Sequence, residues 1–296
     1  MLEGIEVKDD IPRSVIEELR KKVEQLKALG LPDEDVKKFA VNFLEKRGFK
    51  AKIVAKSVKI SNIGRDVEVK KMVTVKGKVL TLFEPKSDKI LQTGLMADET
   101  GVIRFVLWNG EKVSGCVKPG QTYVFKNVVV NEFAEAYQVE STQDTEIEKC
   151  KESVQVSKPR ELTGVVLAIA GGLNVRCSEC YRSISESCPI HGNVGEVYTL
   201  DVKMLLSTTD DDIWVVIPER VFKELTGFDV DIAIEKAKKS MDKSAIVKEV
   251  EKYLVGRVIT IKGPYVEWGK YKALHAESAD IPDVRQLVVE KLKEVV

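Results

Sequence analysis

The spacing of apolar residues changes character along this chain. Over residues 11–48 it is helical: Val15, Ile16, Leu19, Val23 and Leu26 recur every three or four positions. Gly30 and Pro32 interrupt that stripe, and a second one, Val36, Phe39, Ala40, Phe43 and Leu44, runs to Gly48. Two amphipathic helices are predicted, forming an N-terminal module over 1–50 that either packs on the remainder of the chain or docks a partner.

From Val58 the period becomes two. Strands are predicted at 69–82, 89–97, 101–108, 121–131 and 136–141. Asp98-Glu99-Thr100-Gly101 reads as a tight hairpin turn in which Gly101 is able to take positive φ, and Pro119-Gly120 is a second turn. Five short strands over 56–148 predict a small closed barrel. A charged stretch without strong period, 144–160, reads as a linker, bounded at 149–160 between the domains. Strands resume at 162–169, 197–206, 213–217, 257–263 and 271–277, with a helical stretch at 232–254. A second barrel over 161–281 comes next, then an amphipathic helix within 282–296, apolar at Val284, Leu287, Val288, Leu292 and Val295. The fold class expected is mainly β with added helices: two barrels of one plan plus a helical module.

Composition narrows the function classes. The chain has 296 residues and no net charge, which argues against a nonspecific duplex binder. Charge is unevenly spread, however: residues 50–89 hold eleven basic and four acidic side chains, a local +7. The longest apolar run, 165–173, is too short and Gly-rich to span a bilayer, and the acidic start MLEGIEVKDD is no secretory signal. Five cysteines, three of them clustered, fit a reducing compartment better than a disulfide scaffold, and a cytoplasmic, nucleoid-associated location is expected.

The cluster is CSECYRSISESCPIH. Cys177-x2-Cys180 and Cys188-x2-His191 are two chelating pairs, and together they complete a tetrahedral shell with no position left for water. One structural Zn2+ is expected, with catalysis excluded by the closed shell; the mixed Cys/His set favours zinc over iron. No His-x-Glu is followed by Pro-Cys-x-x-Cys, so a zinc deaminase is excluded. The chain carries no phosphate-binding Gly-rich loop with Lys-Ser/Thr. Asp210-Asp211-Asp212 reads as a hairpin turn rather than a magnesium site. No enzymatic activity is expected.

Strand parity points to binding. In Ile103-Arg104-Phe105-Val106-Leu107-Trp108, alternate residues share a face. Ile103, Phe105 and Leu107 suit a barrel interior, which leaves Arg104, Val106 and Trp108 outside. An outward Trp beside an Arg suits base stacking with a phosphate contact. It equally suits packing under the N-terminal helices. Lys76 and Lys78 face outward on the first strand, and Phe133 and Tyr137 flank a hairpin turn, Tyr137 being the preferred stacking candidate. In the second barrel Trp214 is outward by the same parity. The last hairpin carries Tyr265, Trp268 and Tyr271 among lysines, either for a single strand or for packing on the cysteine loop.

The runs VTVKGKVLTLFEPK, LMADETGVIRFVLWN, VKPGQTYVFKNVVV and AYQVEST resemble an OB-fold of the replication protein A family. ELTGVVLAIAGG, the cysteine loop and EVYTLDVKMLLSTTDDDIWVVIPERV resemble that family's zinc-containing OB domain, and the arrangement is most similar to archaeal single-stranded DNA-binding proteins. The resemblance covers roughly 56–280. It implies two OB-fold barrels, the second with a zinc finger at 177–191, that bind single-stranded DNA in replication, recombination and repair. It implies base stacking on Trp108, Tyr137 and Trp214, phosphate contacts from Lys78 and Arg104, and other replication or repair proteins as partners. It also implies subunit assembly through the C-terminal helix, whose pattern alone equally fits the close of a domain. The family's ligands are often all cysteine with a longer central gap, whereas here His191 and a seven-residue gap occur. An RNA-binding OB protein and an assembly subunit whose barrels bind protein are the alternatives.

Overall fold

The computed structural model describes residues 4–7, 10–110, 116–156 and 159–283. The expected C-terminal helix lies outside them. Near the N-terminus, β1 (Ile5–Val7), α1 (Arg13–Ala28), α2 (Asp33–Glu45) and β2 (Ala51–Ile53) form one unit, β1 pairing antiparallel with β2. Leu19, Val23, Val36, Ala40, Phe43 and Leu44, the predicted stripes, make a core of their own. Pro12 and Pro32 precede the two helices, where a fixed φ is compatible with a helix start.

The first barrel comprises β3 (Ser57–Val58), β4 (Met72–Phe83), β5 (Ile90–Ala97), β6 (Val102–Trp108), β7 (Thr122–Phe133), β8 (Ala136–Glu140) and β9 (Glu146–Lys149). The pairing order β4-β5-β6-β8-β7 closes by β7 on β4, and β6 runs parallel to β8. This is the five-strand ring of an OB-fold. Ile103, Phe105 and Leu107 are buried inside with Val73, Val75 and Val79, as parity requires. Phe105 and Phe125 meet with ring centroids 5.3 Å apart; burying each such side chain is worth about 1.5–3 kcal/mol.

The structure departs from the sequence pattern at two places in this barrel. Gly101 does not adopt positive φ. The turn is instead held by the buried Asp98 carboxylate, which accepts from the backbone N–H of Thr100 (2.7 Å), Gly101 (3.0 Å) and Ile60 (2.9 Å). A Cβ on Gly101 would lie 3.3 Å from Ile60 Cγ2, a tight contact rather than an excluded one. Part of the charged stretch is also a strand: β9 pairs with β7 and places Ile147 in the barrel core.

The second barrel comprises β10 (Arg160–Cys177), β11 (Glu196–Ser207), β12 (Asp212–Ile217), β13 (Val258–Gly263), β14 (Tyr265–Trp268), β15 (Tyr271–His275) and β16 (Ser278–Asp280). β10 pairs with β11 and β13, β11 with β12, β12 parallel with β15, and β15 with β14. β13 and β14 are one strand broken at Pro264, which has no N–H to donate. The same ring order therefore recurs, with its fourth strand split. α3 (Glu219–Thr226), α4 (Val230–Ser240) and α5 (Ala245–Leu254) lie between the third and fourth strands and cap the core with Phe222, Ile246 and Val250. Sequence periodicity predicts only the later part, as one stretch; Met241, at φ 53°, breaks it.

β10 runs eight residues past its predicted end, through Gly171 and Gly172. A Cβ on Gly171 would lie 1.9 Å from Asp201 O, and one on Gly172 2.5 Å from Lys243 O, with φ of 117° and 149°. Only glycine lets the strand bend there, under α5 and against β11, and carry on to Cys177. No helix among the described residues is long and apolar enough to cross a membrane.

Candidate nucleic-acid interface and metal centre

The long β10 delivers Cys177 to the mouth of the loop between the first two strands. There the backbone of Cys177 donates to Arg182 O (2.9 Å) and Tyr181 donates to Cys177 O (2.9 Å), with Tyr181 at φ 58° closing the first knuckle. In the second, Cys188 and Gly192 exchange backbone bonds of 3.0 and 2.8 Å. The three cysteines are buried, His191 is exposed, and the four ligand atoms lie within 4.8 Å of one another. Cys177 Sγ and Cys188 Sγ are 3.7 and 3.6 Å from His191 Nδ1, and Cys180 Sγ is 3.6 Å from Cys188 Sγ. A tetrahedral ion with arms of about 2.0–2.3 Å requires ligand edges of roughly 3.3–3.8 Å, so the donor set fits one zinc. Burial pushes the Cys188 thiol up. Backbone bonds from His191 and Ile190, with the His191 ring, outweigh it and bring Cys188 down to about 7. Burial drives Cys180 strongly upward.

On the outer face of the first barrel, Arg104 donates to Gln138 Oε1 (2.9 Å) and Thr93 Oγ1 (3.2 Å). Burial lowers its pKa, against the pull of Glu140. Trp108, on the same strand face, is half-buried and donates its indole N–H to Glu140 Oε2 (3.2 Å). Asn131 also bonds Glu140, at 2.9 Å. Glu140 thus orients the indole, a role sequence reading missed, although the period-two pattern already placed Gln138 and Glu140 on one face. Val106, expected outside, is buried at 2% exposure.

Tyr137 does not join Arg104 and Trp108. It shares the parity of Val139, which is in the core, and its ring lies against Gly64, where a Cβ would come within 2.0 Å of Cε2. Phe133 takes the place beside Arg104: it is 54% exposed, with its ring centroid 4.9 Å from the guanidinium. Ala134 and Glu135, both at positive φ, make the two-residue turn that presents it. Lys76 and Lys78 face outward and meet Glu152 (4.0 Å) and Glu277 (3.7 Å).

In the second barrel Trp214 is 41% exposed on β12, opposite Leu205 on β11; the next pair on that face is Lys203 and Val216. Trp268 lies at the seam, 5.7 Å from the Arg104 guanidinium. Tyr271 is packed there too, its ring edge-on to Phe83 of the first barrel at 5.5 Å and its hydroxyl 3.1 Å from His275 Nε2. Burial raises Tyr271 to about 12 and lowers His275 to about 4, Lys203 and Lys78 adding to the latter.

No family model and no curated protein matches the chain. Among solved structures, an OB domain from Methanosarcina mazei is 32% identical, matched over 35% of this chain and 90% of its own, with a TM-score of 0.31. A replication protein A heterotrimer bound to single-stranded DNA is 11% identical over 84% of this chain and 76% of its own, TM-score 0.35. An OB domain from Thermoplasma acidophilum is 18% identical over 34% and 93%, TM-score 0.28. The strand order and the parallel pairing of third and fifth strands stand in the structure twice, with closure by strand pairing in the first barrel, and on them the chain is an OB-fold protein.

Proposed function

We propose that this protein binds single-stranded DNA with little sequence preference, in replication, recombination or repair, and holds one structural zinc. One observation carries the reading: the third strand of each barrel presents a partly exposed tryptophan on its outer face, Trp108 and Trp214, each with a basic side chain on that face, Arg104 and Lys203. Exposed indoles on a stiff sheet cost solvation in isolation and fit stacked bases, to which they contribute about 1–3 kcal/mol each. Phosphate contacts make affinity fall with salt. The closed Cys3His set leaves the metal a scaffold, and binding proceeds without turnover of the strand. An intracellular location and protein partners belong to the same proposal.

The test is a titration of intrinsic tryptophan fluorescence with oligo-thymidine, oligo-uridine and duplex at two salt concentrations. Quenching by oligo-thymidine that salt weakens is the expected result. Preference for oligo-uridine would make this an RNA-binding protein, and no response to any nucleic acid would overturn the proposal.

A further inference from the structure

The loop joining β4 to β5, residues 84–89, is gripped by the cysteine loop of the other barrel. Arg182, two residues after Cys180, has a side chain only 7% exposed. One terminal nitrogen donates to Asp88 Oδ1 (2.8 Å), the other to the main-chain oxygens of Ile90 (2.6 Å) and Ser87 (3.3 Å). Arg176, next to Cys177, bonds Glu84 Oε1 (3.0 Å) and Asp201 Oδ2 (2.7 Å). The Ser183 N–H donates to Glu84 Oε2 (3.3 Å). Leu91 and Cys116 of the first barrel pack on Cys177, Cys180, Ile184 and Cys188.

A guanidinium buried without a partner is strongly unfavourable, and here both terminal nitrogens of Arg182 find partners on the acidic loop it covers, while its Nε is buried without one. The backbone bond from Cys177 to Arg182 O ties the arginine to the knuckle the metal would close. In an OB-fold the loop between strands one and two borders the nucleic-acid face.

We propose that the cysteine loop is an inter-barrel clamp, with Arg182 its positioning residue: by holding residues 84–90 it locks the two barrels into one rigid binding unit. This rests on the single-strand-binding reading. With the clamp closed, a strand seated on one barrel meets the other already oriented. With it open, the barrels keep only the contacts that Trp268 and Tyr271 make across the seam, which orient the second barrel less firmly.

The test uses the full zinc-loaded chain and the variants Arg182→Ala and Asp88→Ala. Oligo-thymidines of roughly 8 and roughly 25 nucleotides, sized for one and for two OB-folds, are titrated against each. The expected result is an unchanged affinity for the short strand and a loss of about tenfold for the long one. One zinc per chain is retained, and solution scattering gives a larger radius of gyration. Wild-type affinity for the long strand in Asp88→Ala, or equal losses at both lengths, would overturn the clamp. Should Arg182→Ala lose metal, Asp88→Ala, which lies on the other barrel, carries the test. Should wild type bind neither length, the single-strand reading fails, and scattering alone judges the clamp: unchanged profiles in both variants reject it.

Discussion

Trp268 reaches out of the second barrel and donates its indole N–H to the main-chain oxygen of Tyr137 in the first, at 3.0 Å. The same ring lies 5.7 Å from Arg104, which also lies 4.9 Å from the Phe133 ring. Arg104 is thus flanked by one aromatic from each barrel. Trp268→Phe keeps an aromatic ring and removes the donor. It is expected to lower stability by about 1 kcal/mol, read from the urea midpoint with an unchanged slope. No shift in midpoint would mean that the seam does not depend on this bond.

The two outward tryptophans are expected to behave alike. Trp108→Ala and Trp214→Ala should each weaken oligo-thymidine binding by about 1–3 kcal/mol, roughly 5- to 150-fold, with thermal unfolding little changed because both side chains are partly solvated already. Anisotropy titration beside calorimetry checks this. Full affinity in either variant would remove that barrel's outer face from the site.

On the proposed reading Lys203, on the face of Trp214, contacts phosphate. Lys203→Ala should reduce the slope of log affinity against log salt by about 0.7, the value for one phosphate on a single strand. An affinity loss with the slope intact would point to a packing role instead.

Removing the metal should unfold residues 178–195 first, since that loop has little apolar core besides the cysteines themselves. A chelator is expected to open a protease-sensitive site there and lower the melting temperature, with zinc restoring both and magnesium neither. Cys188→Ser should abolish stoichiometric zinc. Metal-independent protease resistance would exclude a stapling role.

His275 makes stability depend on pH. Burial first, then Lys203 and Lys78, holds its folded pKa near 4, below the ordinary imidazole value. Between about 6.5 and 4 the unfolded chain therefore binds the extra proton. The neutral ring's contribution is complete above about 6.5 and is lost as pH falls through that window, up to about 3 kcal/mol. His275→Gln should flatten the urea-derived stability over this range. An unchanged pH profile would assign the dependence to other groups.

Much of the fold is legible in the sequence because barrel strands alternate. Ile103, Phe105 and Leu107 against Arg104 and Trp108 need only the period-two rule, and the helical stripes of residues 15–44 need only their own spacing. The four ligands are legible because chelation imposes short sequence spacing on each pair. The continuation of β10 through Gly171 and Gly172 is not, since the reason for those glycines lies in Asp201 and Lys243, distant in sequence. Tyr137 falls on the Arg104 face only when the hairpin is considered without register; the pairing Asn131–Gln138 puts Phe133 there instead.

What the sequence by itself determined is local: which residues alternate, where turns fall, and which four side chains can share an ion. The tertiary structure alone decided what is long-range. It brought Trp268 to Tyr137, gave Trp108 its partner Glu140, and turned Arg176 and Arg182 toward Glu84 and Asp88. Those contacts join residues about thirty to more than a hundred positions apart, so no periodicity encodes them. Burial and charge pairing select them only after both barrels exist.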